Sequence, residues 1–456
     1  MGGAAAPPRP AGRHGRAGAG RPARPRGGHR GQRRGGRVIG RRLVLTAPLA
    51  LAACGVTTGG PVRVAVTWSG WELGRFRLVL KAFEREYGVS TEVVGLGDDI
   101  SAVLGSRRGG AVDVVMLPQI WAVHGLGDRL APLDRFVPPS RFPLAWRNIL
   151  THEGAVRGIP FKVAHKSVVW YRKDLFERRG EQPPRTWSDW IGLNRRLADS
   201  GTAPLALAGA DGWVLSDFFE NVLYGLDQDT YLSLADKTEN AWRSSQVVDA
   251  FREVGRMWSP QGALSGEAGG ALLTQAESAV VDHFLTGRAA MVAGADFTYP
   301  VIQRHRGADL TGRWLDWFRF PAPNNRTRSP KVGGDVVVVP APASDGALAL
   351  AEWLATAEAQ RIWASQGGLL SVHTEISRTG NTYPTTRIAD LAREVTAEPI
   401  GRLVFDLADQ LGPVGVGLRR VLQDFLRAVG GNESRVEAEA AAAAARMERL
   451  AARSGS

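Results

Sequence analysis

The chain has 456 residues, 44% of them hydrophobic, and a formal net charge of +12. Residues 1–42 hold 12 arginines and no Asp or Glu, and the remaining 45 basic residues are matched by 45 acidic ones. The excess charge is therefore local to the N-terminal segment, and the body of the protein lacks the electrostatic footprint of a nucleic-acid binder. One cysteine excludes a disulfide framework, and eight histidines without metal-ligand spacing give no zinc site.

Residues 1–37 are mostly Gly, Arg, Pro and Ala, with almost nothing to bury, and are expected to stay outside any core. Arg41 and Arg42 then form a basic flank. Leu43 to Ala50 is a short apolar run, and Ala52-Ala53 supplies small residues directly before Cys54-Gly55. The run is shorter than the about 20 residues a bilayer requires. The motif resembles the lipobox of bacterial lipoproteins. That resemblance implies cleavage before Cys54, a lipidated Cys54 thiol and retention on the outer face of the cytoplasmic membrane. The other reading of these residues is a buried cysteine behind a weak apolar run. Residues 1–53 are thus expected to be an export signal with an Arg/Gly-rich extension, and 54–61 a lipid-anchored tether. The arginine pair suits a general secretory signal as well as a twin-arginine one.

From Cys54 onward roughly 400 residues remain, too many for one hydrophobic core and suited to two domains. Val62, Val64, Val66 and Trp68 alternate as in a strand, and Phe76, Val79, Leu80, Phe83 and Tyr87 follow at helical spacing. Thr91 to Val94 is a second strand, so the order predicts a parallel crossover. Val112 to Leu117 has the continuous apolar character of a strand covered on both faces. Asp98-Asp99 reads as a solvated turn. Thr186 is placed to cap a helix through Trp187, Trp190, Ile191 and Leu197, with Asp189 completing a capping box. Val336 to Val339 is another buried strand, followed by one Ala/Leu-rich helix through Trp353 and Trp363. Ser434 and Glu437 predict a capping box ahead of an alanine-rich helix reaching about Ala452. No internal repeat is present. The fold class is α/β.

Ten stretches occur in an order shared with a known family: "VTWSGWE", "KAFEREYGV", "DVVMLPQIW", "GIPFKVAHKSVVWYRKDLFERRG", "PPRTWSDW", "GTAPLAL", "FLTGRAAMVAG", "GGDVVVVP", "AEWLATAEAQRIWASQGGLLS" and "VFDLADQLGPVGVG". From Val62 to about Ala445 the chain resembles the extracellular solute-binding proteins of ABC importers, in the carbohydrate-binding branch that includes maltose-binding protein. The resemblance implies a two-lobed periplasmic-binding-protein-like fold with crossing hinge segments and a ligand cleft between the lobes. It places lobe one at 62–163 and 333–370 and lobe two at 164–332 and 371–456. It also implies a monomer without a cofactor, partnered by ABC permease subunits and a small-molecule solute, a carbohydrate.

All 14 tryptophans follow Cys54. Sugars present flat apolar faces bordered by hydroxyls, so their sites pair aromatic platforms with carboxylates and amides. Trp187, Trp190, Trp353 and Trp363 ride on helical periodicity and are expected in the core. Trp71 follows a strand end, where open parallel sheets bind ligands, and Trp213 sits beside a Gly/Asp loop; each is a candidate platform or a core residue. Glu72 matches the segment where sugar-binding relatives place polar groups, or is a solvated charge at a helix start. Gln119 and Trp121 follow the third strand, and Gln can donate and accept at once. Lys166 lies just past the first expected hinge and either faces ligand or pairs with an acid. Asp217, one helical turn after Trp213, is expected to share its face. Asp296 and Phe297 end a segment where maltose-type relatives carry a stacking aromatic. Asp335, after two glycines, is a ligand contact or a capping or hinge residue. Where relatives place an aromatic pair this chain has Leu418 and Arg419, which argues against a large oligosaccharide.

Catalysis finds no support in the sequence: it holds no Gly-x-Ser-x-Gly elbow, P-loop or dinucleotide fingerprint. The expectation is a non-enzymatic, lipid-anchored sugar-binding protein. A binding protein for a polyamine or peptide, and an exported glycoside-active enzyme, are the alternatives.

Overall fold

In a computed structural model of the chain, the described residues are 60–96, 100, 104, 112–238, 240–307, 313–326, 329–379, 381–397 and 404–454. The export signal, Cys54, Asp98 and Asp99 lie outside them. β1 (Val62–Val66) is β-branched and almost wholly buried. It leads into α1 (Gly70–Tyr87), whose Phe76, Val79, Leu80 and Phe83 form the inward face that i, i+3, i+4, i+7 spacing predicts. Gly88 ends the helix at φ 67°, a left-handed conformation that glycine adopts without a Cβ penalty. β2 (Thr91–Gly95) then runs parallel to β1, and β3 (Val114–Leu117) pairs with β1 from the other side. The expected crossover is present.

β4 (Ile159–His165) is buried throughout, and β5 (Val168–Arg172) follows after two residues. α2 (Trp187–Asp199) starts with the full Thr186–Asp189 capping box. β6 (Ala203–Ala206), α3 (Trp213–Leu226), α4 (Ser245–Trp258), β7 (Ala289–Ala293), α5 (Thr298–Arg306) and β8 (Leu315–Arg319) come next. β9 (Lys331–Val338) returns to the first sheet, antiparallel to β3 and β4. The first sheet has six strands, in the order β10-β9-β3-β1-β2 with β4 also on β9, where β10 is Val404–Phe405. The second has four, in the order β8-β5-β7-β6. Two mixed sheets, with the chain passing between them after His165 and again between Arg319 and Lys331, give the two-lobed α/β architecture.

Local details depart from expectation where side chains compete with the helix backbone. The helix through Trp353 and Trp363 is two helices, α6 (Asp345–Leu354) and α7 (Ala357–Ala364). Between them the Thr356 hydroxyl donates to the Trp353 carbonyl and accepts from the Ala359 N–H, which ends one helix and caps the next. The Ser434–Glu437 capping box does not form. The Ser434 hydroxyl donates to Asn432, Glu437 pairs with Arg252 at 2.6 Å, and a 3-10 turn over Glu433–Arg435 precedes the last helix. That helix, Val436–Ser454, and the one before it, Pro413–Val429, pack on α3 and α4. Asp335 caps no helix: it lies in β9, opposite Lys162 of β4. Residues 404–405 pair with the start of β9, so the first sheet takes a strand from the segment expected to belong wholly to lobe two. Trp187, Trp190, Trp353 and Trp363 are all buried, as their periodicity implies. Among the described residues no helix is long and apolar enough to cross a membrane.

Candidate functional site

A cavity of about 170 Å³ is lined by residues of both sheets' surroundings. Trp71 and Glu72 come from the first turn of α1, just beyond β1. Trp213 opens α3 after β6, and Phe297 precedes α5 after β7. β1 is parallel to its neighbours β2 and β3, and β6 is parallel to β7. The four side chains thus gather beyond strand C-terminal ends, where loops open and backbone groups are free to face a ligand. The Trp213 and Phe297 rings lie 5.8 Å apart, tilted by 57°. Trp71 rests against Gly368 and Pro300: a Cβ on Gly368 would come within 2.7 Å of the indole and 2.9 Å of the proline ring. Only glycine leaves that space.

Behind the cavity sits Lys162, buried in β4. Its Nζ donates to Glu72 Oε1 at 2.7 Å and lies 3.5 Å from Asp335 Oδ2. The same ammonium is 5.1 Å from the Phe297 ring centroid, 5.6 Å from Trp68 and 5.7 Å from Trp363, so aromatic faces complete its shell. Burial opposes the charged amine, but Glu72 and Asp335 outweigh it and hold its pKa above the ordinary value. Gly334 permits this arrangement, since a Cβ there would fall 2.2 Å from the Lys162 carbonyl oxygen. Asp296 is 1% exposed and accepts from the His165 N–H at 2.8 Å. Burial pushes its carboxyl up to about 7, against the pull of that hydrogen bond and of Lys162.

Lys166 and Asp217 belong to a separate buried cluster. Lys166 pairs with Asp406 and, at 3.4 Å, with Asp217. Lys331 pairs with Asp217, with Glu220 at 2.9 Å and with Asp406 at 3.7 Å. Glu220 also accepts the Leu407 and Ala408 N–H groups at 2.9 and 3.1 Å. Burial and the nearby Asp406 charge push its carboxyl up to about 7, while Lys331 opposes. Asp217, Glu220 and Asp406 have the spacing of a metal-ligand set. Two ammonium groups already pair with all three carboxylates and occupy the space between them, so the donor set is ill suited to a further cation. The cluster ties β9, α3 and the segment after β10 together at the crossing.

The expected site residues therefore divide. Trp71, Glu72, Trp213 and Phe297 share one cavity; Asp335 and Asp296 flank it through Lys162 and His165. Gln119 and Trp121 lie apart from it, Gln119 half-buried with its carbonyl accepting the Ala122 N–H, and Trp121 stacked on His124 at 5.4 Å. Leu418 is fully buried, and Arg419 packs against Gly212 and lies 3.6 Å from Asp409. Sequence reasoning missed Lys162, Lys331, Glu220 and Asp406. A signal existed for Lys162, which interrupts the apolar pattern of β4, and lysine is almost never buried without a partner.

The model of the bacterial extracellular solute-binding protein family matches residues 73–361, more than half of the chain. The chain belongs to this family. It is therefore an extracellular or periplasmic solute-binding protein, of a family that binds rather than transforms its ligand. It is 24% identical over 384 residues to the osmoprotective compounds-binding protein GgtB of Synechocystis sp., covering 79% of this chain and 87% of that one. To the alpha-glucosides-binding periplasmic protein AglE of Rhizobium meliloti it is 23% identical over 352 residues, covering 68% and 71%. An uncharacterized ABC transporter extracellular-binding protein of Pyrococcus horikoshii is 30% identical over 202 residues; there the match spans 42% of this chain and 48% of the relative. Among solved structures, maltose-bound MalE3 of T. maritima superposes with a TM-score of 0.68 at 18% identity, covering 86% of this chain and 99% of that one. At that identity the likeness establishes the fold.

Proposed function

We propose that this solute-binding protein captures a sugar, a mono- or short oligosaccharide, and delivers it to the membrane subunits of an ABC importer. The observation that carries the reading is the cavity in which Trp71, Trp213 and Phe297 stand beside the carboxylates Glu72 and Glu277. Aromatic faces suit the apolar C–H faces of a pyranose, and Glu72, pre-set by Lys162, suits its hydroxyls. The volume, small beside the about 300–1,000 Å³ of sites for drug-sized ligands, matches a single ring. The relative named for alpha-glucosides and the maltose-bound fold neighbour support the same class. A polyamine would need uncompensated acid among the aromatics. Here Glu72 is matched by Lys162 and Glu277 by Arg304, which favours a neutral ring in this cavity. Asp296 and Asp335 act as positioning groups, and Lys166 and Asp217 belong to the crossing. We further infer that lipidation of Cys54 holds the protein at the outer face of the cytoplasmic membrane.

Calorimetric titration against mono- and disaccharides tests the ligand class, with spermidine and short peptides as competitors. Binding of a sugar that touches both lobes favours the closed form, so X-ray scattering with saturating sugar should give a smaller radius of gyration. Spermidine or peptide binding without any sugar binding overturns the proposal.

A further inference from the structure

We propose that the natural solute carries an anionic group, a carboxylate or phosphate, received by a second chamber on the other side of Trp71; this rests on the sugar-binding reading above. Besides the cavity already described, Trp71 lines a second one of about 300 Å³, together with Arg75, Gln303, Arg304, Ser365 and Gln366. Trp71 and Arg75 are four residues apart on α1 and so share a helix face. Gln303 and Arg304 come from α5, and Ser365 and Gln366 directly follow α7. The two chambers differ in chemistry. The first is aromatic with carboxylates in its wall; the second has two guanidinium groups, two amides and a hydroxyl, with no carboxylate in its wall.

Arg304 already has a counter-charge in Glu277. Arg75 does not. Its Nη1 donates to the neutral Gln366 Oε1, whose own Nε2 is held by the Ile362 carbonyl at 2.8 Å. Its Nε is buried and has no hydrogen-bond acceptor, and among the described residues Arg75 pairs with no acid. A buried guanidinium N–H without an acceptor is costly, and an oxyanion is the ligand group that best satisfies the planar fork. A pyranose against Trp213 and Phe297 would leave its continuation to pass Trp71 into the larger chamber. That continuation is a uronic-acid residue or a phosphorylated sugar.

The test is calorimetric titration of the full chain with maltose, cellobiose and trehalose, each beside its glucuronate and 6-phosphate counterparts, at low and high salt. The acidic member of at least one set should bind about tenfold or more tightly than its neutral parent. The preference should shrink with salt. Arg75→Gln should abolish the acidic-to-neutral ratio, and Arg75→Lys, which keeps charge but not the fork, should retain part of it. Melting of both unliganded variants near wild type shows that the fold is intact. A phosphate-only or carboxylate-only preference supports the chamber and identifies the source of the anion. Equal binding of acidic and neutral sugars, or a ratio that survives Arg75→Gln, overturns the inference. If monosaccharides bind and no disaccharide of either charge does, the second chamber falls and the sugar reading stands. If no sugar binds at all, both fall.

Discussion

Replacing Trp213 with alanine separates a ligand platform from a packing residue. Trp213 is half-buried, begins α3 and faces the small cavity with its ring 5.8 Å from Phe297. A fully buried aromatic side chain covers about 150–250 Å², and a sugar stacked on one face covers roughly a third of that. At about 25 cal/mol per Å² this contact is worth roughly 1–2 kcal/mol. Aromatic geometry adds about 0.5–1.5 kcal/mol. The sum, about 2–3 kcal/mol, corresponds to an affinity loss of about 30- to 150-fold. Calorimetry with the best-binding sugar reads that loss, and thermal unfolding without sugar reads the cost to the fold, which should stay below about 1 kcal/mol for a cavity-lining residue. Trp190 supplies the contrast: it is fully buried against Phe218, Phe318 and Phe320, so Trp190→Ala should cost about 3–5 kcal/mol of stability. A Trp213→Ala protein that binds sugar normally but unfolds as readily as Trp190→Ala would refute the reasoning and assign Trp213 to the core.

Lys331→Met removes one of the two ammonium groups facing Asp217, Glu220 and Asp406, and should cost about 3–5 kcal/mol in urea unfolding. Adding Glu220→Gln should restore part of it; a loss under about 1 kcal/mol would show that the cluster is not a structural tie. Asp296, pushed up to about 7 from an ordinary value of 3.8, holds a proton in the folded state that the unfolded chain releases. Its contribution is therefore full below about pH 4 and lost as pH rises through about 7. Asp296→Asn keeps an acceptor for the His165 N–H but cannot ionise, so its stability relative to wild type should climb between about pH 4 and 7; a difference that stays flat with pH would count against the buried proton. Cys54→Ser cannot form a thioether, and cell fractionation should find that variant uncleaved or released; retention and processing like wild type would remove the lipid anchor.

Much of the scaffold is local information. The alternation of Val62, Val64 and Val66, the helical spacing through Phe83 and the Thr186–Asp189 box each depend on residues within a turn or two. Burial periodicity and capping need only such neighbours, which is why they can be read without the fold. Trp71, Glu72, Trp213 and Phe297 were legible because each stands at the end of a strand or the start of a helix, and parallel sheets place their ligands there. Their meeting around one cavity was not, for it requires the packing of two sheets. The charges illustrate the limit most clearly. Nothing near Lys162 in the chain shows that it serves Glu72, 90 residues away, nor that Lys331 serves Asp217, 114 residues away. Lys166 reads in sequence as either a ligand contact or the partner of an acid, and only the crossing strands, which bring Asp406 beside it and Lys331 beside Asp217, select the second. The sequence alone determined the class of fold and singled out the aromatic and acidic groups that line the small cavity. Only the tertiary structure decided which charges neutralise one another and which, like that of Arg75, stay without an acid among the described residues, because a buried ion's partner is set by where the chain crosses rather than by its neighbours in sequence.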